Sequence, residues 1–258
     1  MYNNSANTKF TGKSIHFLPS CHSTNTEASL LIRSKTAVNG LIVITNEQTA
    51  GRGQQGNVWH SEPNANLTFS VILFPAYHFH INYSFYLNIV ASLAIAKTLE
   101  TFLPKKIIRV KWPNDIYVDN KKICGILIEN TLRGEHISSI VMGIGLNVNQ
   151  SVFGLPTATS ILQESGCQSS LQNVLDSLCE HIEEFYLALN TGLKKELFDL
   201  YQSKLYALNL LHEYQDSDEN FMGYIRGIEE NGTLLVEKVS GVNRKYQFKE
   251  VRFIMPAV

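Results

Sequence analysis

The sequence predicts an α+β fold: a mixed, mostly antiparallel sheet with helices, followed by a small SH3-like β-barrel. Three observations lead there. Apolar runs of strand length are interspersed with two long segments of helical period before residue 205. Four strand-like runs follow in close succession between 107 and 148, two of them joined by a tight turn. After about residue 206 the character changes to short strands separated by the turn signals Asn231-Gly232 and Ser240-Gly241.

Taken in order, residues 14–20 (SIHFLPS) read as a first strand and 24–34 (TNTEASLLIRS) as a helix. Thr24 and Glu27 have capping-box spacing, and Ala28, Leu31 and Ile32 form an apolar stripe. Strands follow at 41–45 and 67–74. Between 81 and 103, Phe85, Ile89, Leu93, Ala96, Leu99 and Leu103 recur at steps of three or four, which predicts a long helix with one buried face. The runs IIRV, DIYV, ICGILIE and SSIVMGIGLNV supply four more strands, with Lys121 and Lys122 at the exit of a hairpin turn made by Asp119 and Asn120. A second helix, 171–189, carries Leu171, Val174, Leu175, Leu178, Ile182, Phe185 and Leu189 on one side, and a shorter one lies around 193–203. The division expected is 1–205 for a catalytic domain and 206–258 for the small β-domain.

Composition narrows the function classes. A hydrophobic fraction of 44% with 17% charged residues is ordinary for a globular chain of 258 residues. Twenty-two basic against 23 acidic residues leave a formal charge of -1, which argues against a broad nucleic-acid or membrane-surface footprint. The start, MYNNSANTKFTGKS, has no apolar core of a signal peptide, and no window has the roughly 18 apolar residues of a membrane span. Cys21, Cys124, Cys167 and Cys179 lack C-x-x-C spacing and read as reduced thiols of a cytoplasmic protein. His78 and His80 have no further ligand cluster nearby and read as surface residues.

Residues 51–56, GRGQQG, satisfy the dinucleotide-binding pattern G-x-G-x-x-G. The pattern requires a strand before it and a helix after it. A strand precedes, but NVWHSEPNANLTFSVILF follows, with no helix and no acidic residue for a ribose. The loop instead offers glycine backbone beside the Arg52 guanidinium, the amides of Gln48, Gln54 and Gln55, and the Trp59 indole. That combination suits an anion joined to a flat ring, although such loops are more often plain turns. In VKWPNDIYVDNKKICG, Pro113 biases Trp112 towards extended geometry and breaks the strand, crowding Lys111, Asn114 and Asp115 at a bend to which Lys122 returns. A charged hairpin around a buried tryptophan explains that cluster equally well. Asn147 and Asn149 are polar positions in a strand otherwise of small and apolar residues, and a half-buried amide needs partners.

The tripeptide Ser23-Thr24-Asn25, the loop GRGQQGNVW, the run KWPND with Lys122 eleven residues after Lys111, and the segment GIGLN occur together. In that combination the chain resembles the biotin protein ligases from about residue 14 to its end. The resemblance implies a class II synthetase-like catalytic domain that activates biotin with ATP and Mg²⁺ to biotinoyl-5′-AMP. The acyl group then passes to one lysine of a biotin carboxyl carrier protein or domain. It further implies Lys122, Arg52 and Asp115 as the catalytic residues, with no metal ligand assigned. Biotin would be held by Ser23, Thr24, Asn25, Gln48, Gly53, Gln54 and Gly125. The nucleotide would meet Arg52, Trp59, Lys111, Asn114, Lys122 and Asn147. GRGQQG becomes a mobile flap over the acyl-adenylate, because a mixed anhydride must be kept from water. Gln54 departs from the family, which commonly has arginine there, and Asn57 stands where a second basic residue is frequent. Some members carry an N-terminal DNA-binding domain; with the first strand at about residue 14, an enzyme without DNA as partner is expected. A homodimer is compatible with the sequence, which does not fix oligomeric state. The rivals are a lipoate–protein ligase and a non-catalytic biotin-binding protein; KWPND and STN disfavour the first, and the presence of Lys122 and Arg52 the second.

Overall fold

A computed structural model of the chain describes residues 2–75 and 79–254. β1 (Ile15–Cys21) leads through α1 (Thr24–Arg33) to β2 (Ile42–Gln48), and this crossover makes β1 and β2 parallel. β3 (Leu67–Leu73), α2 (Phe85–Phe102), β4 (Ile108–Lys111), β5 (Asp115–Val118), β6 (Lys121–Arg133) and β7 (His136–Leu146) follow. They complete a seven-stranded sheet of order β1-β2-β3-β7-β6-β5-β4, antiparallel apart from its first pair. Pro19 is accommodated because β1 is an edge strand, where a missing N–H need not break the ladder. After α3 (Ile161–Ser165), α4 (Leu171–Asn190) and α5 (Lys194–Ser203) comes a second, five-stranded antiparallel sheet. It consists of β8 (Leu211–Gln215), β9 (Asn220–Ile228), β10 (Leu234–Lys238), β11 (Asn243–Tyr246) and β12 (Arg252–Phe253). The α+β class and the small β unit are as the sequence predicts.

Alternation along the strands sends apolar side chains to both faces of the first sheet. Ile42, Ile44, Phe69, Val71 and Leu73 join the main core with α2 and α4, while Val43, Ile72 and Val141 pack under Ala28 of α1. The larger cluster explains one departure from expectation. Where the sequence predicts a single buried face for 81–103, α2 is buried almost all round, enclosed by the sheet, α4 and α5. The first residues of that stretch, Ile81–Tyr83, form a separate 3-10 turn.

Other expectations are also corrected. The capping box fails: Ser23 is the N-cap and Thr24 already lies in the helix, its hydroxyl accepting from Ser70 Oγ at 2.7 Å. Tertiary partners have claimed the group that would have capped. Asn147 and Asn149 lie just beyond β7, where the chain turns to meet the segment around α3, a helix too short to show a period in the sequence. The bend that crowds Lys111 against Asn114 and Asp115 surrounds the lysine with aromatic rings. His80 is half-buried, 3.5 Å from the Glu135 carboxylate, while His78 lies outside the described residues. The cysteines are free, and burial pushes the thiols of Cys124 and Cys179 well above their usual range. No helix among the described residues is long and apolar enough to cross a membrane.

Two joints set the frame of the molecule. The N-terminal segment is laced to α4, where Glu183 accepts from the amides of Lys9 (2.6 Å), Phe10 (2.9 Å) and Thr11 (2.9 Å). The second sheet docks through its β9–β10 turn: the buried Trp112 indole donates to Gly232 O at 2.8 Å. Gly232 has φ +90°, and a Cβ there would stand 2.3 Å from the Phe85 ring, so both the turn and the docking require glycine.

Candidate active site

A cleft of about 580 Å³ opens on the α1 face of the first sheet, with the β11–β12 region of the second sheet as one wall. Its floor is one cross-strand row. Thr45 pairs in register with Thr68, Thr68 with Gly145, Gly145 with Gly125, Gly125 with Asp115, and Asp115 with Lys111. Residues opposite one another share a face, so the row runs from hydroxyls, through bare backbone, to a carboxylate and an ammonium. The apolar face that packs under α1 changes to this polar row as the strands pass the helix N-terminus. Glycine is needed in the floor: a Cβ on Gly145 would lie 2.3 Å from the Trp59 indole, and one on Gly143 2.2 Å from Asn25 Oδ1.

The glycine-arginine loop folds over this floor. Gly53 N donates to Asn57 O at 2.7 Å, Gln54–Gly56 forms a 3-10 turn, and Trp59 N donates to Gly51 O at 2.9 Å. The loop lays the Trp59 ring against Gly125 and Gly145, with Lys122 Nζ 5.6 Å from the ring centroid. Trp59 Nε1 and Gln54 Oε1 are buried polar atoms without a hydrogen-bond partner among the described residues. Buried polar groups are ordinarily satisfied, so these two are unused hydrogen-bonding capacity at the flap.

The charged groups are arranged in pairs. Lys122 Nζ lies 2.7 Å from Asp115 Oδ1 across the β5–β6 hairpin. Arg52 lies 3.5 Å from Glu129 and donates to Thr26 Oγ1 at 3.2 Å, which ties the flap to β6 and α1. Lys111, also from the first sheet, has no ion pair among the described residues. Its Nζ lies 3.3 Å from the Tyr117 hydroxyl, and burial pushes its ammonium below the usual range, against a weaker upward pull from Asp115.

Neutral partners gather at the N-terminus of α1. Gln48 Oε1 accepts from Thr24 N at 2.8 Å, which leaves the Gln48 amide nitrogen beside the flap. The Asn25 side chain is occupied within the protein: Oδ1 accepts from Ser70 at 2.6 Å, and Nδ2 donates to Glu129 at 2.8 Å and Leu127 O at 3.2 Å. Asn114 Nδ2 donates to Ile126 O at 2.5 Å and pins the 111–115 bend against β6. Every residue that the sequence singles out for the site lines this cleft except Asn147. Asn147 is buried to one side, with Nδ2 on Thr159 O at 2.9 Å and Oδ1 unpartnered among the described residues.

Some lining or supporting residues lie outside the sequence-based expectations. Glu129 is within reach of the period-two rule, since Gly125, Leu127 and Glu129 share a face of β6. Ser70 and Phe253 carry no local signal. A cleft of this size, to which the first sheet and its flap give two paired cations and one held by aromatic rings, and the β11–β12 region of the second sheet Lys249 and Arg252, can hold a flat ring beside a polyanion and bring a carboxylate to it.

Comparisons with known proteins agree with that chemistry. The model of the biotin/lipoate A/B protein ligase family matches residues 17–147. The bifunctional ligase/repressor BirA of Escherichia coli is 33% identical over 237 residues, which span 88% of this chain and 70% of that protein. A biotin–[acetyl-CoA-carboxylase] ligase of Mycobacterium tuberculosis is 25% identical over 218 residues, 83% of this chain and 80% of its own. Among solved structures, the biotin protein ligase from Aquifex aeolicus in complex with biotin and ATP superposes with a TM-score of 0.77 at 25% identity. That match covers 94% of this chain and 99% of the other.

Proposed function

The chain belongs to the biotin/lipoate A/B protein ligase family, and on that premise we propose that it activates biotin with ATP and biotinylates an acceptor lysine. The acceptor is a biotin carboxyl carrier protein or domain, and the activity is that of a biotin–[acetyl-CoA-carboxylase] ligase. The observation that carries this reading is the registered floor from Thr68 to Lys111, which sets bare backbone under the Trp59 indole in one row with a carboxylate and an ammonium.

In the first step a carboxylate oxygen of biotin attacks the α-phosphorus of ATP. The new O–P bond forms as the bond to pyrophosphate breaks. Two anions must approach, so the barrier is chiefly electrostatic. Lys122, beside the row, screens carboxylate and phosphate, and Arg52 closes over the product from the flap. In the second step the acceptor ε-amine attacks the acyl carbon and AMP departs. Asp115 orients that amine and takes its proton, once the incoming phosphate draws Lys122 away from it.

The ureido ring is neutral and suits the neutral donors and acceptors at Ser23, Thr24 and Gln48. Asn25 acts indirectly, holding Glu129 and so the far end of the Arg52 pair. Trp59 covers the ring system, while Asn147, held beside the cleft by Thr159 O, acts on the nucleotide side only through its neighbours. Asp115 and Glu129 are each engaged by a cation. Among the described residues no group of three His, Cys, Asp or Glu side chains is placed to hold a metal ion, so Mg²⁺ is assigned to the ATP substrate. We place the boundary between the catalytic unit and the small β-domain near residue 206.

Pyrophosphate release on mixing the protein with biotin, ATP and Mg²⁺, run beside an identical reaction with lipoate, tests the proposal. Release with biotin alone is expected. Release only with lipoate assigns the other branch of the family, and release with neither leaves a binding protein.

A further inference from the structure

Lys111 differs from the other cations that the first sheet and its flap give to the cleft. Lys122 is matched by Asp115 and Arg52 by Glu129. Lys111 has no ion pair among the described residues; its Nζ instead stands 5.1 Å from the centroids of both Tyr117 and Phe253. Tyr117 belongs to β5 in the first sheet and Phe253 to β12 in the second. The cation is therefore held between two sheets.

The Phe253 ring is itself fixed. It pairs in register with Tyr214 of β8, and its centroid lies 5.3 Å from that of Tyr214, 6.0 Å from His212 and 6.4 Å from Tyr206. Tyr206 in turn lies 5.5 Å from Tyr117, which closes an aromatic cluster around the lysine. A ring face attracts an ammonium without neutralising it. A carboxylate in the same place would give the lysine a counter-charge that an incoming polyanion must displace. Burial pushes the Lys111 ammonium below its usual range, and the ring faces offset part of that cost by attracting the charged form.

We infer that Phe253 is a positioning residue for the nucleotide: with Tyr117 it holds Lys111 at the cleft as an unneutralised cation for the polyphosphate of ATP. The second sheet thereby takes part in substrate binding through Lys111. This rests on the ATP-using function proposed above, but it is separable from the identity of the acid that is activated.

The test is a double-mutant cycle on the full chain: wild type, Phe253→Leu, Lys111→Met and the double variant. Each is titrated calorimetrically with ATP and Mg²⁺ in the presence of biotinol, the alcohol analogue that has no carboxylate to activate. Phe253→Leu keeps apolar bulk and removes the ring; it is expected to raise the dissociation constant for ATP about fivefold and to leave that for biotin unchanged. In the Lys111→Met background the same substitution is expected to change ATP affinity by less than about twofold, because it acts through the lysine. Phe253→Tyr, which keeps the ring, is expected to restore wild-type affinity, and melting curves check that each variant folds. An equal reduction in both backgrounds, or none in either, overturns the inference. Wild-type protein that binds ATP but releases no pyrophosphate with biotin overturns the proposed function instead, and the four affinities still decide the role of Phe253. Absence of ATP binding by the wild type overturns both.

Discussion

Lys122 owes its place to local geometry: a hairpin returns it across β5 to within 2.7 Å of Asp115, under the Trp59 ring. Removing one charge-assisted hydrogen bond from a water-poor site costs on the order of 3 kcal/mol, about a hundredfold in rate. Lys122→Ala is expected to lower pyrophosphate release by at least about that factor while the melting temperature stays within a few degrees. Normal release from the variant would remove Lys122 from the reaction. Gln54 poses a subtler case. It lies in the flap turn, lines the cleft and is neutral. A charged donor to phosphate contributes about 1.5–3 kcal/mol and a neutral one about 0.5–1.5, a difference of about tenfold in retention of the adenylate. Gln54→Arg is therefore expected to slow release of biotinoyl-5′-AMP about tenfold and to reduce stray biotin on bystander albumin. Equal stopped-flow release rates would take Gln54 off the intermediate.

Among the elements, the N-terminal segment shows how far one side chain can order a stretch without regular structure. Burial raises the affinity of Glu183 for a proton, but the amides of Lys9, Thr11 and Phe10 outweigh it and hold the carboxyl below its ordinary range. A depressed folded value stabilises above the unfolded pKa of about 4.3, and that stability is lost as pH falls through the lower folded value. Glu183→Gln is expected to cost about 1–3 kcal/mol at pH 7 in urea unfolding. The gap between the two proteins should shrink as pH is lowered below about 4. A gap that is constant with pH would show that the ionised carboxylate is not what ties the segment to α4. α2 and α4 contrast with this segment: their spacing of apolar residues forecasts helices directly. Only the extent of burial of α2 escapes the pattern, because periodicity reports which side is apolar and not how many neighbours will cover the rest.

For the whole molecule, the relation between the two sheets decides the shape of the cleft. Trp112, from the KWPND run, reaches across to Gly232 O, and Gly232 sits against Phe85 of α2. Trp112→Phe keeps one aromatic ring, gives up part of the buried indole and removes the donor, leaving a carbonyl unmet at the joint, at a cost of about 1–3 kcal/mol for the lost hydrogen bond. The expected result is a melting temperature lower by a few degrees and faster limited proteolysis between 205 and 211, where the second sheet begins. The KM for ATP should rise with it, since the second sheet supplies one wall of the cleft. Unchanged proteolysis and KM would mean that the joint is held elsewhere.

The sequence by itself determined the class of fold, the existence of almost every strand and helix, and a set of candidate site residues that all line one cleft except Asn147. Its signals were local: apolar period, turn dipeptides, and the short runs STN, GRGQQG, KWPND and GIGLN. Tertiary structure decided what those signals were joined to. Strand register set Gly145, Gly125, Asp115 and Lys111 in one row, and register is fixed by packing on both faces of the sheet, which no single strand encodes. It took the Thr24 hydroxyl from its expected cap because Ser70, on a strand distant in sequence, offered a better partner. It set Asn147 off the cleft because β7 ends one residue earlier. It also brought Phe253 to Lys111, two residues far apart in the chain. Such pairings leave no local trace, because their free energy arises only when the two sheets dock.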